Sequence, residues 1–195
     1  MIEGRGIWIH DSTCRGMGGA RVARECYEHG LNIVLPKVPW LTGSDADPEY
    51  WKDVMGPMIA EAHKQGIEVH AWIFFLNAAS VDNDTSLMQV LETGKLEQIG
   101  CPANPETVRR NLEKIEPILG EYDLDGFSLE DCFVYHRFEK DPAICFCDYC
   151  KRNAPTDPDE RKMWNRTQLT NMLHEIVKES KKYSPQLKIS AAARV

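Results

Sequence analysis

The run Cys145-Phe146-Cys147-Asp148-Tyr149-Cys150 places three thiols within one short loop. That spacing lets three sulfurs converge on a single metal ion. Structural zinc takes four ligands in a tetrahedron and favours all-cysteine sets, so the run asks for a fourth donor brought in by the fold. Cys101 is the first choice, Cys132 competes with it, and His136 is a third option. Four cysteines would leave no open coordination position, which makes such a site structural rather than catalytic. The bland alternative is a set of unpaired thiols in a reducing compartment. Of the seven cysteines, Cys14 and Cys26 lie in no partner pattern and are expected to be free.

A second kind of chemistry is written in Gly126-Phe127-Ser128-Leu129-Glu130. Side chains alternate along a strand, so Phe127 and Leu129 share one face and Gly126, Ser128 and Glu130 the other. If the strand belongs to a barrel wall, the apolar face packs on helices and the small, acidic face points to the axis. Glu130 then stands at the C-terminal mouth, where barrel enzymes hold their reacting groups. A carboxyl group there can give and take a proton in catalysis. The same parity turns Trp8, His10, His70, Trp72, Phe74, Ser190, Ala192 and Arg194 inward. His10, Glu130 and Arg194 are expected at one rim, with Asp11, Lys37, Asn77 and Asp131 just beyond. Trp40 and Trp72 are the aromatic faces expected in the cleft. The competing reading makes Glu130 a strand-end residue paired to His10 or Arg194. Asp123 and Asp125 precede the strand and are expected to shape a turn at the opposite end.

These residues need elements to hold them. Short apolar runs alternate with longer helical patterns, the signature of a parallel sheet built from βα units. Strands are expected at Gly6–His10, Asn32–Val38, Ile67–Leu76, Leu124–Glu130 and Leu187–Val195. Helices are expected at Ala20–His29, Pro48–Gln65 with Pro57 as a kink, Pro105 to near Gly120, and Asp157–Tyr183. Gly16, Gly18 and Gly19 read as a turn after the first strand, and Gly30 and Gly66 as helix stops. Met88–Leu91 and Leu96–Ile99 flank Glu92-Thr93-Gly94-Lys95 as a small hairpin. Asn104-Pro105-Glu106 supplies an N-cap, a first-turn proline and an acidic first turn.

Five strands in 195 residues is a period of about 40, and eight would need about 300 residues, within the usual spread for a (β/α) barrel. The expected architecture is therefore an α/β, TIM-type barrel in a single domain over 1–195, stopping after about five strands, with a cysteine-rich zinc-binding insertion at 132–156. A doubly wound sheet is the structural rival; the chain has no Gly-rich dinucleotide fingerprint after its first strand. A formal charge of −7 without a basic cluster argues against nucleic acid or an anionic membrane as partner. No apolar run approaches the roughly 20 residues of a membrane span. The absence of a signal peptide, together with the clustered cysteines, points to the cytoplasm. Open edges at the first and fifth strands would invite homo-oligomers.

The order Cys101-Pro102, Asn104-Pro105-Glu106-Thr107-Val108-Arg109, Tyr122-Asp123-Leu124-Asp125-Gly126 and then Cys145-x-Cys147-x-x-Cys150 resembles the family 42 β-galactosidases and their uncharacterised glycosidase-like relatives. The resemblance implies a (β/α)8 barrel acting on a carbohydrate substrate. It implies structural zinc on Cys101, Cys145, Cys147 and Cys150, and Glu130 as the acid/base. Family 42 carries Asn before that Glu, whereas this chain has Leu129, so galactoside specificity does not carry over. The Glu130-Asp131 pair is closer to the glycosidase-like relatives, where Asp131 shares candidacy. The family's nucleophile lies on a seventh strand, so the 195-residue chain is expected to be inactive alone. A non-catalytic carbohydrate-binding protein and a zinc-stapled interaction module are the alternatives on the same fold.

Overall fold

The computed structural model describes residues 4–41, 43, 46–130 and 145–191. Strands β1 (Gly6–Ile9), β2 (Ile33–Pro36), β3 (Glu68–Phe74), β6 (Gly126–Glu130) and β7 (Lys188–Ala191) form one sheet in the order β1-β2-β3-β6-β7. Every neighbouring pair is parallel. A doubly wound sheet reverses its strand order at a switch point; here the order follows the chain without reversal, as a barrel wall requires. Between β3 and the next long helix, β4 (Met88–Val90) and β5 (Leu96–Gly100) make the antiparallel hairpin expected from the sequence.

The two faces of the sheet carry different chemistry, as the alternation of side chains demands. Val34, Val69, Ala71, Ile73, Phe127 and Leu129 face outward into the main core. They meet Val22, Ala23 and Cys26 of α2 (Gly19–Glu28) and Met58, Ile59 and Ala62 of α4 (Gly56–Lys64). Ile115 and Ile118 of α5 (Pro105–Glu121) and Met172 and Ile176 of α7 (Pro158–Tyr183) complete that layer. On the inner face the register stacks His70, Gly126 and Lys188 in one layer and Trp72, Ser128 and Ser190 in the next. Phe74 and Glu130 lie level above them. Gly126 is obligatory: a Cβ there would lie 2.4 Å from the Lys188 carbonyl oxygen and 2.9 Å from the His70 ring.

Three local departures from the sequence reading have physical causes. The run containing Gly16 is helical: α1 (Asp11–Met17) starts directly after β1, and Gly18, at φ 81°, breaks it from α2. Gly19 does not make a turn. It lets α2 approach the next helical layer, because a Cβ would fall 1.9 Å from the Val54 carbonyl oxygen. The helix expected at Pro48–Gln65 runs as α3 (Pro48–Tyr50), a π turn over Trp51–Met55, and α4. Pro57 can neither donate a backbone N–H nor fit against the carbonyl four residues earlier. The chain answers with one wider turn, in which the Gly56 N–H reaches back to the Trp51 carbonyl, so the expected kink is a π turn. α6 (Asp148–Asn153) begins within the cysteine run and was not among the helices expected from the sequence.

Candidate functional site

At the C-terminal end of the sheet, β1 passes into α1 through His10, whose carbonyl accepts from Thr13 and Cys14 at 3.0 and 3.1 Å. The tight start brings Asp11 and Arg15 of α1 to the mouth. From β2, Lys37 follows the last strand residue, its backbone N–H donating to Ile9 at 2.7 Å and its residue bridging to Trp72. A cleft of about 360 Å³ opens here, lined by Asp11, Arg15, Lys37, Trp40, Asp47 and Phe74, among others. That volume lies in the range of small-molecule sites.

Glu130 closes β6 beside this cleft, level with Phe74. The Trp72 indole N–H donates to Glu130 Oε2 at 2.5 Å, and the Phe75 backbone N–H donates to the Glu130 carbonyl at 2.8 Å. Trp72 is nearly buried, packed edge-on by His10 with ring centres 5.3 Å apart and flanked by Phe74 at 5.6 Å. Thus Trp72 faces the barrel interior as expected, but with its polar atom committed to the carboxylate. Lys37 Nζ lies 4.8 Å over the Phe74 ring. Trp40 is 4% exposed, divided between the core and the cleft wall.

Not every expected residue faces substrate in the same way. Asn77 lines the cleft, yet its side-chain oxygen accepts from the Ser80 N–H at 2.9 Å and so caps the short 3₁₀ turn that follows. Trp51, a third tryptophan near the cleft in sequence, is fully buried, donating to the Pro39 carbonyl at 2.7 Å and in tilted contact with the Tyr122 ring. Asp131, Arg194, Cys132, His136 and Ala192 lie outside the described residues. Two cleft residues escaped the sequence reading, Arg15 and Asp47, which form an ion pair. The Tyr50 backbone N–H, and then Arg15, hold the Asp47 carboxyl below its ordinary range. The Asp47-Pro48 pair was legible as a helix start, but Arg15 was hidden because the glycine run masked α1. At the opposite end of the sheet, where it was expected, Asp125 accepts from the Val69 N–H at 2.8 Å and contacts His63 at 2.9 Å, so its carboxylate links β3 and α4 instead of shaping a turn.

The second centre is a knot of four thiols. Cys101, Cys145, Cys147 and Cys150 are all buried, and their Sγ atoms all lie within 4.8 Å of one another. Cys101 and Cys150 are 3.5 Å apart. Sulfurs bound to one zinc at about 2.3 Å sit about 3.8 Å apart in a tetrahedron, so the donor set fits a metal ion with small adjustments. These four can hold a metal ion, and among the described residues they make the only such group. Hydrogen bonding from Cys101, then from Cys145 and Cys150, holds the Cys147 thiol below its ordinary range. Hydrogen bonding to Cys145, Cys147 and Cys150, together with burial, pushes Cys101 well above it. The knot ties distant segments together: Cys101 donates its N–H to the Leu87 carbonyl at 2.7 Å, and Phe146 donates to Val90 at 2.7 Å. The cysteine run therefore lies against the β4–β5 hairpin.

Comparison with known proteins follows the same lines. The family model described as glycosyl hydrolase-like 10 matches residues 36–194. "Glycosyl hydrolase YngK" of Bacillus subtilis (strain 168) is 26% identical over 163 residues, covering 74% of this chain and 31% of that protein. The α-L-fucosidase isoenzyme 2 from Paenibacillus thiaminolyticus superposes with a TM-score of 0.72 at 16% identity, over 98% of this chain and 33% of that one. The α-galactosidase from Lactobacillus brevis gives 0.63 at 11%, over 97% and 27%. A β-galactosidase from the psychrophilic Marinomonas ef1 gives 0.62 at 11%, over 97% and 37%. At such identities the structural likenesses establish the fold, a TIM-type barrel wall, and the chain spans about a third of the length of these relatives. Of the two relationships read from the cysteine layout, the family match names the glycosidase-like one and not family 42. The match extends over most of the sequence, and the chain belongs to the glycosyl hydrolase-like 10 family.

Proposed function

We propose that the protein of which this chain forms a part hydrolyses glycosidic bonds, with Glu130 as general acid/base. The observation that carries this reading is the Trp72–Glu130 hydrogen bond, which fixes one carboxylate on the inner face of the sheet beside an open cleft. Glycoside hydrolysis uses a pair of carboxyl groups, about 5–5.5 Å apart for retention and wider for inversion. Glu130 protonates the departing oxygen. On the retaining route the second carboxylate takes the sugar and Glu130 then removes the proton of the water that releases it; on the inverting route the second carboxylate activates that water. Asp131 is the neighbour able to share that role. The second carboxyl group comes from a further strand end, so the isolated 195-residue chain binds carbohydrate without turning it over. His10, Asp11, Lys37, Trp40, Trp72, Asn77 and Arg194 are the residues assigned to the sugar or to the groups that hold Glu130.

The four-cysteine knot is assigned to structural zinc. When bound, the ion supplies a cross-link and no open position for chemistry. The protein residues do the rest: Cys101 anchors the end of the hairpin, and Cys145, Cys147 and Cys150 bring the start of α6 to it. None of the six described cysteines is in a disulfide, which suits a reducing compartment such as the cytoplasm. Among the described residues no helix is long and apolar enough to cross a membrane.

The test is Glu130→Gln in the full-length protein, assayed on aryl glycosides and on unlabelled oligosaccharides. Hydrolysis is expected to fall by about 100-fold or more, with binding to an unhydrolysed oligosaccharide retained. Unchanged hydrolysis removes Glu130 from the mechanism. A parent protein that binds glycans and never hydrolyses them establishes the binding-protein alternative. Turnover by the 195-residue chain by itself overturns the placement of the second carboxyl group.

A further inference from the structure

Arg161 sits in the second turn of α7 and is half-buried against the cysteine run. Its guanidinium lies 4.5 Å over the ring of Phe146, the residue between Cys145 and Cys147. Its Nη2 donates to the Cys145 carbonyl at 3.1 Å. Its Nε is buried without a hydrogen-bond partner among the described residues, and none of the ion pairs there supplies it with a carboxylate. A guanidinium is always charged and is costly to bury without compensation. Beside it stand four buried thiols, whose apolar neighbours among the described residues are Ala103, Val90, Tyr149 and Trp164. Four thiolates around a divalent ion leave two negative charges uncompensated, and a buried excess of that kind also needs an opposite charge.

We infer that Arg161 is the outer-sphere cation of the four-cysteine centre, a positioning residue that offsets its charge and clamps α7 to it. This rests on the reading of the knot as a metal site. The two needs answer each other: among the described residues the arginine has no carboxylate partner, and a zinc held by four thiolates carries excess negative charge. Phe146 acts as the spacer, its ring face carrying the guanidinium while its N–H is spent on Val90. Residues outside the ligand shell that orient or neutralise it are worth about 10- to 100-fold in metal affinity.

The experiment compares the chain with Arg161→Gln and Arg161→Lys by Co²⁺ titration and by Zn²⁺ competition against a chromophoric chelator. Arg161→Gln is expected to keep the intense thiolate-to-Co²⁺ absorption of a four-sulfur site while binding Zn²⁺ about 10- to 100-fold more weakly. Arg161→Lys keeps the charge without the planar fork and should fall between. Equal affinity in all three overturns the inference and leaves the metal site standing. A parent chain that shows no four-thiolate Co²⁺ spectrum overturns the metal reading itself. Far-UV circular dichroism of the metal-free forms tells an effect on the centre from a failure to fold, and in a misfolded Gln variant the Lys-to-parent ratio of affinities decides.

Discussion

Trp72 changes meaning once its indole nitrogen is located. As an aromatic residue on an inward position it looked like a platform for a sugar ring, but its N–H is committed to Glu130 and only 9% of it is exposed. A tryptophan so placed orients the carboxylate and excludes water from one side of it. Trp72→Phe in the full-length protein keeps the ring body and removes the donor. Under the positioning role kcat falls about tenfold while KM stays within about twofold, because the lost interaction acts on the reacting group and not on uniform substrate binding. A rise in KM at constant kcat would return Trp72 to the stacking role. Lys37 shows the same sensitivity to neighbours: its ammonium rests on the Phe74 ring, a contact that no spacing rule foretold.

Between strands, the bottom layer of the inner face is tied by charge. Glu68 on β3 pairs with Lys188 on β7 and with His70 at 3.0 Å, bridging over Gly126 of β6, which has no side chain to intervene. Lys188 first, and then His70, hold the Glu68 carboxyl below its ordinary value of 4.5. A carboxylate lowered in the folded state contributes stability that is fully present above its unfolded value. That stability is lost as the pH falls through the folded one. The group is one-third exposed, so screening keeps the amount modest, about 0.5–1 kcal/mol. Glu68→Gln is therefore expected to lower urea stability by that amount at pH 7. At a pH well below the ordinary carboxylate range it should match the parent. A difference that persists unchanged in acid would mean that packing, and not charge, accounts for the residue.

For the molecule as a whole, two cores carry different duties. The main core joins sheet and helices, whereas the cysteine knot with Ala103, Val90, Tyr149 and Trp164 forms a separate cluster. Metal removal by a chelator should therefore loosen one region without dissolving the fold. Amide exchange is expected to speed up at Val90, Cys101, Phe146 and Cys150, with β3 and β6 still protected and far-UV circular dichroism largely kept. Global unfolding on chelation would show that the main core cannot stand without the knot. The edge at β1 leaves Ile7 and Trp8 41% and 59% exposed, above a hollow shared with Met17 and Leu31.

The sequence alone determined what depends on local periodicity and spacing. The five parallel strands, the Met88–Leu91 hairpin, the Asn104 cap and the three clustered cysteines could be read there, because a pleat, a helix turn and a C-x-C-x-x-C loop each impose a short repeat; which donor joins them as the fourth was left open by spacing. It also placed Glu130 on the inner face, since parity along one strand needs no partner. Only the tertiary structure decided which of those faces meet. Helix α1 was invisible in a glycine-rich stretch whose helicity comes from its start at His10 and its packing, not from propensity. Arg15 reached Asp47 through that helix, and Trp72 met Glu130 from a residue 58 positions away. Arg161 came upon the cysteine loop from a helix of its own. Such meetings are set by register between strands and by close approach at single residues such as Gly19 and Gly126, where a missing side chain, not a present one, makes the contact.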